Sequence, residues 1–220
     1  GEVSTLPPAA PSLPASPELN GADIRRGTVE DLSDGTLAEF PSFEPPFCVQ
    51  ELALARNRLT SLAGVEALRF LTVLDISGNE LSALNGLAGL PIRVLDVSGN
   101  KLTSLDGIED CKMLVALAAS GNRLTNLAPI SGAAHPSLEQ IFAKDNNIAA
   151  DTALDVLREL PQLRTVDFRG NPLTEEEHYV HWVLHRAAHI TSLDGEDVTV
   201  IAKVDAMNHF QPPLDHMLQP

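Results

Sequence analysis

The chain has 220 residues, a net charge of −15 and only 4% aromatic residues, so its core must be built from aliphatic side chains. The charge excludes a phosphate-tracking basic stripe, and with it duplex nucleic acid as an expected partner. No apolar run approaches the length that spans a bilayer, so no membrane contact is expected.

Residues 1–27 form an acidic, proline-rich leader. Pro8, Pro11, Pro14 and Pro17 recur every three residues, which in a polyproline II helix places all four on one edge. No Lys or Arg flanks them, so a stiff linker is favoured over a docking peptide. The first residues show no charged stretch followed by an apolar one, as a secretory signal would. Cys48 and Cys111 are predicted too far apart to bridge, which points to a reducing compartment.

From residue 49 onward the sequence repeats. Asn57, Asn79, Asn100, Asn122, Asn146 and Asn171 are spaced 22, 21, 22, 24 and 25 residues apart. Before each lies an alternating apolar or small pair, such as Leu74/Ile76 and Leu95/Val97. An apolar residue follows two positions later: Leu59, Leu81, Leu102, Leu124, Ile148 and Leu173. In the first four units, Leu stands at five, Gly or Pro at seven and an apolar residue at eight. The alternating pair predicts a short strand with its alternate side chains in the core. The Asn predicts a ladder, because a buried carboxamide can satisfy the backbone groups that a sharp turn leaves unpaired. Such coils cannot bury their own faces and must stack.

This pattern resembles the 22-residue intracellular class of leucine-rich repeats. The resemblance implies an α/β fold: a right-handed, curved leucine-rich-repeat solenoid with a parallel sheet on its concave face and short helices or 3-10 turns on its convex face. Residues 28–48 read as a degenerate N-terminal coil centred on Gly35, which lacks the Asn, and 49–170 as the repeats. Residues 171–195 resemble the cap that closes such arrays, matching at Asn171, Pro172, Leu173, Tyr179, Val183, Leu193, Asp194 and Gly195. A helix is expected at 151–160, where Leu154, Leu157 and Leu160 recur. A second is expected from a Thr174/Glu177 capping box to about residue 188. Residues 196–220 read as a tail with a short helix near 198–208, stopped at Pro212-Pro213.

The strand residues between core pairs face the concave surface. The candidate partner-binding residues are Val73, Asp75, Ser77, Val94, Asp96, Ser98, Ala118, Phe142, Lys144, Asp167 and Arg169. This face is small-residued and acidic in its second and third repeats. Phe142 reads either as an anchor for a partner or as a ring covered by the leader or the cap. His178, His181, His185 and His189 fall on one helical stripe, which suggests a solvated face, a metal site or a pH-sensitive patch. No phosphate loop, nucleophile elbow or acid–base pair is present, so neither an enzyme nor a cofactor is expected.

The resemblance therefore implies a monomeric, non-enzymatic scaffold for a protein partner that offers a basic or mixed-charge segment. Within the family, axonemal dynein light chains and phosphatase regulators are the favoured comparison. The alternatives are an A′-type protein of a spliceosomal snRNP, or a metal- or pH-responsive protein using the histidine stripe. The expected setting is cytoplasmic, with cytoskeletal, ciliary and nuclear locations open.

Overall fold

A computed structural model describes residues 28–43, 49–149 and 151–210. The leader, Cys48 and Pro212-Pro213 lie outside these residues. Among the described residues nine strands form one sheet in strict chain order: β1 Thr28–Asp31, β2 Val49–Ala53, β3 Val73–Asp75, β4 Val94–Asp96, β5 Ala116–Ala118, β6 Gln140–Phe142, β7 Thr165–Asp167, β8 Ser192–Leu193 and β9 Glu196–Asp197. All neighbours pair in parallel except β8 and β9, which form an antiparallel closing pair. Each coil contributes one strand and returns over the convex side, through 3-10 turns at Val65–Ala67 and Asp151–Glu159 and through bends elsewhere. Among the described residues, no helix is long and apolar enough to cross a membrane.

The core is one continuous aliphatic column. Leu52, Leu74, Leu95, Leu117, Ile141 and Val166 form its strand layer and are buried, with Leu59, Leu81, Leu102, Leu124 and Ile148 in the next layer. Phe168 is its largest fully buried ring.

Each Asn side chain spans two coils. Asn100 Nδ2 donates to the carbonyls of Ile76 at 2.9 Å, Val97 at 3.0 Å and Ser98 at 3.3 Å, and its Oδ1 accepts from Leu81 N–H at 3.0 Å. The same reach back to the preceding coil recurs from Asn57 through Asn171. This explains Gly35. Among the described residues no coil precedes this one to be tied, and a Cβ at Gly35 would stand 2.5 Å from Asn57 Oδ1.

The residue before each Asn adopts a left-handed backbone. Gly99, with φ 66°, fits without strain, whereas Arg56 and Asp145 accept φ 55° and 53° with side chains attached. Arg56 and Asp34, which also has a positive φ, form an ion pair across the first two coils.

Two helical expectations are corrected. Residues Asp151–Glu159 form a 3-10 helix, not an α-helix. Leu154, Leu157 and Leu160 recur every three residues, which keeps them eclipsed on one face at three residues per turn. The Thr174/Glu177 capping box does not form. Thr174 Oγ1 instead donates to Asn171 O at 2.8 Å within a short 3-10 turn, Pro172–Glu175. The α-helix α1 then begins afresh at Tyr179 and ends at Arg186, with His178 at its N-cap and no side-chain cap bond. A second helix, α2, spans Val200–Phe210 and packs on α1.

Replacing Asn100 with Leu keeps the branched shape but orphans Leu81 N–H and removes one of the two donors at the Ile76 and Val97 carbonyls, which keep Asn79 and Asn122. At about 1–3 kcal/mol for an unsatisfied buried group, urea denaturation should show a loss of about 1–3 kcal/mol. Asn147→Ala, at an exposed site one residue past the ladder, should stay within about 0.5 kcal/mol.

Candidate partner-binding face

The strand register fixes which side chains stand together. Val73 pairs with Val94 and Asp75 with Asp96, and the same two rows continue through Ala116 and Ala118, Gln140 and Phe142, and Thr165 and Asp167. Adjacent strands lie about 4.8 Å apart, so Asp75 and Asp96 are direct neighbours, and Phe142 lies between Ala118 and Asp167. Val73, Val94, Ala118 and Phe142 are half-buried rather than fully exposed. The outer row runs Ser77, Ser98 and Ser120, all half-buried, to Lys144 and Arg169, which are exposed.

The acidic residues have a structural duty that the sequence reading missed. Asp75 Oδ1 accepts from Ser77 N–H at 2.9 Å and Asp96 Oδ1 from Ser98 N–H at 2.8 Å. Asp31 and Asp167 do the same for Ser33 and Arg169. Each carboxylate thus closes a turn at the strand's end, the local bonding typical of Asp two residues before a free N–H. The repeated Asp-x-Ser at 31, 75 and 96 was the available signal.

Charge is distributed unevenly along the face. At the C-terminal end, Arg169 holds the buried Asp167 through two bonds, and Lys144 lies 3.8 Å from Asp145. Burial opposes ionisation of Asp167, but the Arg169 bonds outweigh it and hold that carboxyl below its ordinary value. Asp75 and Asp96 make no ion pair among the described residues. Burial, and less strongly the charge of Asp75, raises the Asp96 pKa against the Ser98 bonds. The face therefore presents an unneutralised acidic pair beside valines, then a Phe, then an internally neutralised end.

The histidine stripe divides when α2 is in place. His178, His181 and His209 cluster, with ring centroids 4.3, 4.9 and 6.0 Å apart. His185 stacks on Phe210 at 4.8 Å, and His189 Nε2 bonds to Leu160 O at 2.9 Å. The rings meet at tilted or edge-on angles, and among the described residues no group of three ligating side chains is arranged to hold a metal. Beneath them, Arg186 Nε reaches Asp155 at 2.9 Å, and Asp194 Oδ1 accepts Phe168 N–H at 2.7 Å, fastening the cap to the last coil. The Tyr179 hydroxyl has no partner in hydrogen-bonding geometry; burial and the nearby Asp194 charge raise its pKa. Cys111 is a free thiol, buried with its Sγ 3.5 Å from Leu87 O and pushed up to about 11, chiefly by burial.

Stacked single-strand coils, an asparagine ladder and a small-residued concave sheet define a repeat scaffold built for protein interaction. The chain belongs to the leucine-rich-repeat family, whose model matches residues 73–216. A curated relative is the U2 small nuclear ribonucleoprotein A′ of Aspergillus fumigatus, 31% identical over 85 residues, which cover 39% of this chain and 34% of the relative. The match thus spans about a third of that protein's length. Among solved structures, a chain of the Drosophila melanogaster SNF/U2A′ complex aligns at TM-score 0.50 and 21% identity, covering 57% of this chain and 72% of that one. An internalin of Listeria monocytogenes aligns at TM-score 0.60 and 14% identity, covering 79% and 49%. Internalin C2 of the same organism aligns at 0.53 and 24%, covering 66% and 62%. These structural likenesses show the fold.

Two pH effects follow. The raised Asp96 pKa means that its contribution to stability is full while the carboxyl is protonated and is lost as pH rises through the folded value. Asp96→Asn keeps the oxygen that accepts Ser98 N–H, so Tm should rise at pH 7 and match wild type near pH 3. His209 runs the other way. Desolvation, then His178 and His181, lowers its pKa. The stability it lends is present above the ordinary imidazole value of about 6.5 and is lost as pH falls. Protection factors of the α2 amides, hydrogen-exchange rates divided into their intrinsic rates at each pH, should therefore fall between pH 7.5 and 5.5, and His209→Gln should flatten that dependence.

Proposed function

We propose that the chain is a non-enzymatic adaptor that grips a basic or mixed-charge segment of a partner protein across the concave face, in the setting of a spliceosomal snRNP. The observation carrying this reading is the Asp75/Asp96 pair, two adjacent carboxylates without ion-pair partners among the described residues, set beside half-buried Val73 and Val94. Burial already disfavours the charge on Asp96. A basic side chain arriving from a partner would relieve that cost and displace water from the valines in the same step. Phe142 would supply the apolar anchor farther along the face, and Lys144 and Arg169, already matched to Asp145 and Asp167, would form a polar rim.

The snRNP setting rests on the A′-type relative. It displaces the axonemal and phosphatase-regulatory readings that the repeat class alone had favoured, and it brings with it a nuclear location. The SNF/U2A′ pairing of the Drosophila complex supports a partner that is itself a protein.

The test is affinity purification of the tagged full-length chain with mass spectrometry, alongside Phe142→Ala and a double Asp75→Lys/Asp96→Lys variant. Recovery of snRNP proteins that drops at least tenfold in the double variant is the expected result. Recovery of dynein, tubulin or phosphatase subunits would remove the snRNP setting, and partner recovery untouched by both variants would remove the concave-face reading.

A further inference from the structure

The chain enters every strand at one edge of the solenoid, and there the backbone ladder extends one residue beyond the strands. Thr72 N–H bonds to Gln50 O, Arg93 N–H to Thr72 O and Val115 N–H to Arg93 O, each within 2.7–2.8 Å. The residues just before these, Leu71, Ile92 and Leu114, are buried. One step further back, Phe70, Pro91 and Met113 hold the same position in three successive coils and point away from the core. Phe70 is 55% exposed and Met113 52% exposed, with Pro91 half-buried between them. The next coil places Ser137 there, which ends the apolar row.

Three cations surround this row. Arg69 and Lys112 precede Phe70 and Met113 in the chain, and Arg93 lies on the sheet side of Pro91; all three are exposed. None forms an ion pair among the described residues, which is also true of Arg58, Arg123, Arg158, Arg164 and Lys203; Arg56, Lys101, Lys144, Arg169 and Arg186 are paired. Glu66 accepts Gly64 N–H at 2.9 Å and Glu109 accepts Gly107 N–H at 2.7 Å, while Asp110, two residues before Lys112, and Glu139, on the entry edge two coils beyond Arg93, are exposed and bound the row on its C-terminal side. An apolar row ringed by unpaired cations is thus displayed on a chain whose net charge is −15.

We infer that this edge is a second docking surface, distinct from the concave face, and that its occupant is an acidic protein segment carrying apolar side chains. The surplus of negative charge elsewhere repels such a segment and focuses it here. The apolar contact holds it once it arrives. Phe70 and Met113 stand two strand spacings apart, about 9.6 Å. That distance matches apolar side chains about seven residues apart on a helix at 1.5 Å rise, or about three apart on an extended chain. Apolar anchors favour protein over nucleic acid, whose phosphates would use the cations and leave Phe70 and Met113 in water.

The test is fluorescence anisotropy on the full-length chain, with a labelled 16-residue helix-forming peptide that bears leucines at i, i+3 and i+7 and glutamates elsewhere. Its isomorph with glutamine in place of glutamate serves as the control. The acidic peptide should bind at least tenfold more tightly than the control. Arg93→Glu/Lys112→Glu and Phe70→Ser/Met113→Ser should each weaken it tenfold or more at unchanged Tm. The concave double variant Asp75→Lys/Asp96→Lys should leave it no weaker, which separates this surface from the proposed partner face. Equal binding of the two peptides, or binding indifferent to the edge variants, overturns the inference. So does tighter capture of a labelled 12-nucleotide single-stranded RNA at the same residues, which would make the site a nucleic-acid edge. Binding that appears only after removal of residues 1–27 overturns it as well, by making the chain's own leader the occupant.

Discussion

After each strand the chain turns inward, and the turn leaves two carbonyls and an N–H in the dry interior, where an unpaired polar group costs about 1–3 kcal/mol. No coil of this protein meets that demand alone. The Asn100 carboxamide serves its own coil through Val97 and Ser98 and the preceding one through Ile76 and Leu81. Hydrogen-bond satisfaction is therefore a property of adjacent pairs, and the array is coupled by nearest neighbours. The same bonds set the register. Once Asn79 and Asn100 are level, Asp75 must stand beside Asp96 and Val73 beside Val94, so the composition of the concave face follows from a contact inside the core.

That dependence explains why the repeats could be read from residues alone. A carboxamide at a fixed position has few substitutes, since it must donate and accept at once, and it therefore marks every coil from Asn57 to Asn171. Strand alternation placed the concave rows by the same logic. The convex side was less legible because several backbone solutions bury an apolar residue every three or four positions. Leu154, Leu157 and Leu160 fit an α-helix loosely and a 3-10 helix closely, and only the strict interval of three separates them. At Asn171-Pro172 the proline starts a 3-10 turn, which draws the Thr174 hydroxyl back to Asn171 O and leaves none for capping. His209 could not be assigned to the histidine cluster from spacing, because α2 reaches α1 only through tertiary packing.

The cap shows how a terminal coil is closed without another Asn. Asp194 takes the Phe168 N–H that a further coil would have covered, with its own backbone at φ 55°. His189 bonds Leu160 O, and Arg186 spans to Asp155. α2 adds little to this closure: only Ala206 is fully buried, while Val200 and Ile201 are 77% and 74% exposed. The helix packs through Ala206 and half-buried Ala202 and through the ring contacts of His209 and Phe210, so protonation of His209 bears on α2 rather than on the repeats.

The concave carboxylates carry two duties that pull in opposite directions. As turn-closing acceptors for Ser77 and Ser98, Asp75 and Asp96 could each be Asn with no loss of geometry. The Ser98 bonds favour the charged form of Asp96, but burial outweighs them and makes that charge costly. Under the proposed function that charge serves recognition, and it stands on β3 and β4, two of the three coils whose entry edge displays Arg69, Arg93 and Lys112. The ladder fixes the two proposed surfaces relative to each other. A partner engaging both would have to present a basic stretch and an acidic stretch at one set separation. That requirement discriminates among partners far more sharply than either surface could alone.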